Sequence, residues 1–231
     1  MKTIGLIGGM SWESTAEYYR VLNEFTRHRL GGLHSARCVL YSVDFAEIEQ
    51  LQVQGRWEEA GEILAAAARS LEKGWRRHGA DLHQHDAQGR GPGGGGGGGV
   101  PLLHLADATA DAVRAAGIRK VGLLGTAFTM EQDFYRARLE AGGLDVCVPN
   151  TEGRALVHRV IYEELCLGIV KDESRKEYQR VIGELVEAGA DGVILGCTEI
   201  ELLVGPQDSP VPVFPTARLH AEAAIDAALV E

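Results

Sequence analysis

No apolar run in this chain approaches the length that crosses a bilayer. No signal-peptide pattern precedes the first strand-like segment, so neither a membrane span nor export is expected. Positive charge is short. The 23 Lys and Arg stand against 33 Asp and Glu, and the net charge of −10 argues against a nucleic-acid surface. There are only four cysteines, Cys38, Cys147, Cys166 and Cys197, with neither the paired spacing of a metal site nor a disulfide framework. A cytoplasmic, reduced protein is expected, in which a reactive cysteine works as a thiol. The glycines of Gly5-Leu6-Ile7-Gly8-Gly9 lack the G-x-G-x-x-G spacing, which argues against a dinucleotide cofactor.

What is present is an ordinary globular composition. The 231 residues, 45% apolar and 24% charged, suffice for one large domain or two small ones with real cores. Short apolar runs ending in Gly, Asp or Asn predict strands over 3–7, 38–43, 121–124, 146–148, 193–195 and 211–214. Helical periodicity occupies 14–29, 57–73, 108–116, 130–141, 155–165, 174–188 and 217–229. This alternation indicates an α/β protein with mainly parallel sheets covered by helices. Ligands in such folds sit at the carboxyl ends of the strands, where Gly8-Gly9-Met10, Gly125-Thr126 and Gly196-Cys197-Thr198 fall.

The chain also reads as a duplication. Lys2-Thr3-Ile4-Gly5-Leu6-Ile7-Gly8-Gly9 reappears as Lys120-Val121-Gly122-Leu123-Leu124-Gly125-Thr126. Two similar Rossmann-like lobes follow, with a break near Val100-Pro101 and the active site in the cleft between them. Residues 1–100 with 211–231 form the first lobe and 101–210 the second, because the last strand and helix are expected to cross back.

One segment disobeys this plan. The second half carries Val193-Ile194-Leu195-Gly196-Cys197-Thr198-Glu199, but the first half has Leu82-His83-Gln84-His85-Asp86 and then a glycine tract at the matching place. Residues 74–99 have neither strand nor helix character, and 93–99 cannot build a helix. A flexible linker is the plain explanation. A shifted reading frame is the other. Under a legal choice of codons, residues 74–91 read one nucleotide later give A-G-A-D-T-V-L-I-C-T-N-T-M-H-K-V-A-D, an apolar strand followed by a cysteine in place of Leu82. The segment is therefore read as a frameshift relic, and Leu82 as the place of a lost thiol.

The residues around it carry a resemblance. Gly5-Leu6-Ile7-Gly8-Gly9-Met10-Ser11-Trp12-Glu13-Ser14-Thr15, Ser42-Val43-Asp44-Phe45, Pro101-Leu102-Leu103-His104-Leu105-Ala106-Asp107-Ala108-Thr109, Met130-Glu131-Gln132-Asp133-Phe134-Tyr135 and Gly196-Cys197-Thr198-Glu199 resemble the aspartate/glutamate racemase family. Within it they are similar to the broad-specificity bacterial amino acid racemases, over nearly the whole chain except 74–99. The resemblance implies an isomerase that uses neither pyridoxal phosphate nor metal. It also implies a small amino acid as substrate and a homodimer. Two opposed cysteines would exchange the Cα proton, one as base and one as acid.

Cys197 is the one catalytic candidate in the sequence as written. Thr198 and Glu199 follow it at an expected helix N-terminus, where amide donors favour a thiolate and a bound carboxylate. Substrate contacts implied by the resemblance are Met10, Gln52, Thr126 and Lys171. On their own residues these read as a packing methionine, a solvated loop glutamine, a helix cap and a solvated charge. His83 and His85 have metal-like spacing but little weight in a relic segment. Cys38, Cys147 and Cys166 read as structural. The chain as written is thus expected to lack racemase activity. The alternatives are a non-catalytic binder of small amino or dicarboxylic acids, or a one-cysteine isomerase or decarboxylase of the wider superfamily.

Overall fold

Thr3–Gly8 forms β1, and all six of its residues are buried, as a central strand covered on both faces requires. Helix α1 (Trp12–Leu30) starts at Ser11, whose side chain accepts from the Ser14 amide, and ends at Gly31, with φ 74. Its Val21 and Leu22 pack with Ile4 and Leu6 of β1 on one face of the sheet. On the other face Ile7 packs with Ile48, Leu64, Ala67 and Leu71. These come from α2 (Phe45–Val53) and α3 (Trp57–Arg76). A parallel sheet with helices on both faces thus follows from the continuous apolar run of β1.

The computed structural model describes residues 1–76, 82–86 and 101–230. Two units carry two sheets of the same plan. The first unit comprises residues 1–105 with the chain from His220 onward, and the second comprises Ala106–Leu219. The first sheet has the order β2-β1-β3-β4, with β2 at Cys38–Ser42, β3 at Leu82–Asp86 and β4 at Leu102–His104. The second has the order β6-β5-β7-β8, with β5 at Lys120–Leu124, β6 at Asp145–Cys147, β7 at Gly192–Leu195 and β8 at Val213–Pro215. Every pairing in both is parallel.

In the second unit, helices α4 (Leu105–Ala115), α5 (Ala127–Glu131), α6 (Asp133–Ala141), α7 (Thr151–Glu163) and α8 (Asp172–Glu187) alternate with the strands. Leu124, Val193 and Leu195 meet Val157, Ile161, Tyr178, Val181 and Ile182 in one buried cluster. Gly122 lets α8 come close, since a Cβ there would lie 2.7 Å from Leu185 Cδ1. Each of these aliphatic side chains contributes about 1.5–3 kcal/mol by leaving water.

Four expectations are corrected. The segment read as lacking β character supplies β3, which sits between β1 and β4. A parallel ladder needs backbone N–H and C=O groups, and His83-Gln84-His85 have these like any other residues. The last strand does not cross back: β8 pairs with β7 through Val193↔Val213 and Ile194↔Phe214. Only the following helix, α10 (Thr216–Leu229), joins the first unit, where Ala221, Ala224 and Ile225 enter its core and the Lys2 amide bonds Ala228 O at 2.7 Å. Arg29 fixes it further to Asp226 at 3.0 Å and Glu222 at 2.9 Å. The helix expected over 130–141 is broken at Gln132, which is extended (φ −91, ψ 147) between α5 and α6. Finally, Gln52 lies within α2 and is buried, not in a solvated loop.

Candidate active site

The geometry is most complete where β7 ends. Gly196 follows Leu195, and its amide donates to Leu124 O at 2.7 Å. Any Cβ at Gly196 would stand 2.8 Å from that same oxygen, so the turn needs glycine. Cys197 comes next, followed by Thr198, Glu199 and the four-residue helix α9 (Ile200–Leu203). The Cys197 thiol, half-buried, donates to Glu199 Oε2 at 2.8 Å, and Glu199 is only 7% exposed.

That contact reverses the expected electrostatics. A helix start was expected to favour a thiolate at Cys197, but burial and then the Glu199 carboxylate push the thiol well above its ordinary value. Among the leading influences, the Glu199 backbone N–H alone favours the thiolate. The resting group is a protonated thiol aimed at a carboxylate, an acid with its own proton acceptor at hand. Burial first, and then the neighbouring Cys197 and Glu164, raise the Tyr178 phenol above its ordinary value. Its hydroxyl donates to Val157 O at 3.1 Å.

The segment after Cys197 is anchored. Asp208 accepts from the Gly205 amide at 2.9 Å and from Gln179 Nε2 at 2.8 Å. Arg175 reaches both Leu203 O and Asp208. Beside it, Lys171 precedes α8 and pairs with the buried Glu164 at 3.2 Å. Glu164 also accepts from Ser174 Oγ at 2.6 Å. The Ser174 bond first, then Lys171, hold the Glu164 carboxyl below the usual range. Lys171 is therefore an ion-pair partner, not a simply solvated charge.

Thr126 ends the run after β5 and caps α5, accepting from the Thr129 amide at 3.3 Å. Leu124 is paired with Leu195, so Thr126 and Cys197 stand the same number of residues beyond one register pair. The Ala127 amide is bonded by His158 Nδ1 at 3.1 Å.

In the first unit the matching turn is Gly8-Gly9-Met10. Gly9 has φ 98, and a Cβ there would lie 2.2 Å from Val43 O. Its amide donates to Thr15 Oγ1 at 2.8 Å. Met10 packs against the cluster of Ile7, Ile48 and Leu64, as do Val43 and Phe45. Leu82, the place that the shifted frame gives to a cysteine, opens β3 opposite Thr3. Asp191 holds the corresponding place before β7, its amide donating to Lys120 O at 2.9 Å.

Cys197, Glu199 and the Thr126 turn thus stand at the carboxyl ends of the paired strands β7 and β5, and Thr198 lies in the Cys197 turn. Glu164, His158, Arg175 and Asp208 were not singled out from sequence. They sit in helices or short turns as single polar residues, with no motif to mark them. Among the described residues no cluster of three or more His, Cys, Asp or Glu could hold a metal. The metal reading of His83 and His85 rests on side chains outside the described set. No described helix is long and apolar enough to cross a membrane.

Residues 98–224 match the model of the Asp/Glu/Hydantoin racemase family. The structure is similar to that of a candidate Asp/Glu racemase from Yersinia pestis, 50% identical, with all of both chains covered and a TM-score of 0.85. It is also similar to an aspartate racemase homologue from Pyrococcus horikoshii OT3, 34% identical over 99% of both chains, with a TM-score of 0.80. An uncharacterized protein from the pnlA 3' region of Pectobacterium carotovorum subsp. carotovorum is 29% identical over 103 residues, 45% of this chain and 67% of its own.

Proposed function

The chain belongs to the Asp/Glu/Hydantoin racemase family, and we propose that it keeps one half of a cofactor-independent, two-thiol proton transfer at the Cα of a small amino acid. The observation that carries this reading is the 2.8 Å contact between the Cys197 thiol and the buried Glu199 carboxylate. Glu199 takes the thiol proton, and the resulting thiolate removes the Cα proton from one face of the substrate. Racemisation then needs a second acid on the opposite face.

The first half offers no such thiol. Cys38 opens β2 opposite Ile4, at the amino end of the sheet. Leu82, at the place given by the shifted frame, is not a cysteine. With no second acid proposed opposite it, the proton that Cys197 removes is returned by the same thiol to the face it left. The written chain therefore exchanges the α-proton of one enantiomer with solvent and does not invert it.

Aspartate and glutamate are the default substrates, with Thr126, Thr198, Glu199 and Lys171 of the second unit as their contacts; for Met10 and Gln52 of the first unit a substrate contact rests on the family resemblance alone. Because Lys171 is already paired with Glu164, a substrate side-chain carboxylate must compete with that buried acid for it.

The test is incubation with L- and D-aspartate and L- and D-glutamate in deuterium oxide. Deuterium is expected at Cα of one enantiomer with configuration retained, and Cys197→Ser should abolish it. Exchange that survives Cys197→Ser would remove Cys197 from the chemistry. Ligand-induced thermal stabilisation with no exchange at all would instead identify a non-catalytic binder.

A further inference from the structure

We propose that His158, on α7, is a positioning residue that holds the start of α5 against the Gly196–Cys197 turn. It bears on function through the reading that Cys197 is the proton-transfer group. The first amides of a helix have no partner within it. In α5 the Thr129 amide is taken by Thr126 Oγ1 at 3.3 Å, and the Ala127 amide by His158 Nδ1 at 3.1 Å. The second contact comes from a different element and so fixes where α5 begins, not only how it is capped.

The imidazole is itself held. Phe128 meets it edge-on with ring centroids 6.3 Å apart, and Tyr162 lies tilted at 4.8 Å. Accepting through Nδ1 requires that nitrogen to be unprotonated, which places the ring proton of the neutral form on Nε2.

What α5 presses upon is the turn that carries the thiol. A Cβ on Gly125 would lie 3.0 Å from Thr129 Cβ, and one on Gly196 would lie 3.4 Å from Thr129 Cγ2. Thr129 therefore fills the space above both glycines. If the Ala127 amide loses its acceptor, the first turn of α5 loosens, Thr129 lifts from Gly196, and the Cys197 turn opens to solvent. Nothing in the sequence marks His158 for this task, since it reads as one more polar residue on an amphipathic helix.

Two substitutions separate the acceptor from the ring. His158→Asn keeps an acceptor oxygen near the position of Nδ1 and discards the ring, whereas His158→Phe keeps the ring and discards the acceptor. In the full-length chain the Ala127 N–H···Nδ1 bond is read directly by NMR coupling across it. Hydrogen exchange of the Ala127 amide and iodoacetamide alkylation of Cys197, located by peptide mass, read its consequences.

The coupling should be present in the unsubstituted chain. His158→Phe should speed Ala127 exchange by about tenfold or more, as loss of a hydrogen bond to a part-buried amide implies, and should speed Cys197 alkylation. His158→Asn should stay close to the unsubstituted chain in both. Absence of the coupling overturns the proposal, as does His158→Phe behaving like the unsubstituted chain or His158→Asn being as perturbed as His158→Phe. If His158→Phe fails to fold, the coupling and the asparagine variant still decide. None of these readouts needs a substrate, so they stand or fall separately from α-proton exchange.

Discussion

Cys197 and Glu199 work against each other's charge, and this sets the behaviour of the site at the scale of single residues. A buried carboxylate 2.8 Å from the sulfur disfavours a thiolate, yet it is also the group able to receive the thiol proton. Glu199→Gln should therefore split two readouts. Iodoacetamide should alkylate Cys197 faster near neutral pH, because a charge that raises the thiol is gone. Deuterium exchange at the substrate Cα should fall, because the proton acceptor is gone. If both rates rise together, Glu199 is only an electrostatic brake. The raised thiol also couples to stability. The folded state keeps its proton where the unfolded chain has lost it, so stability is full below the ordinary thiol value of about 8.5 and declines as pH rises toward the folded value. Thermal unfolding across that alkaline range should show a shallower decline in Cys197→Ser. An unchanged slope would contradict the raised thiol.

At the scale of elements, the glycine turns at the strand ends are where backbone geometry leaves least choice. Gly9 combines φ 98 with a carbonyl 2.2 Å from where a Cβ would sit. Gly9→Ala should cost about 2 kcal/mol or more, read by urea unfolding, and a neutral result would mean that the turn is free to shift. Such turns were legible in advance because an apolar run followed by glycine and a helix is a local pattern. So were β1, β5 and β7, whose apolar runs leave few other conformations. The break at Gln132 was not, since both flanking segments have helical periodicity and a single extended residue leaves no trace in it. Nor was β3, which pairs with β1 and β4 although its sequence carries no apolar run. Gln52 was misplaced because α2 is short and only two of its residues, Ile48 and Gln52, are buried, a weak pattern to read. His158 gains its partner from a residue 31 positions away, and Glu164 gains its own from the start of the next helix, neither of which a single sequence displays.

At the scale of the whole molecule, the two sheets share the order of their strands, and that repetition gives meaning to what the first half lacks. β3 occupies the position in the first sheet that β7 occupies in the second, and only β7 is followed by a cysteine in the sequence. On the proposed reading, fold and function separate here: residues 82–86 still pair as a parallel strand, whereas proton transfer to a second face would need a second acid. Replacing residues 74–91 by the sequence read one nucleotide later would introduce a cysteine and an apolar run together, as the proposal requires. The direct comparison is a chiral assay of both chains on L-aspartate and L-glutamate. The restored chain should form the D-enantiomer, and the chain as written should form none. Cys197-dependent formation of D-enantiomer by the chain as written would contradict the claim that half of its chemistry is missing.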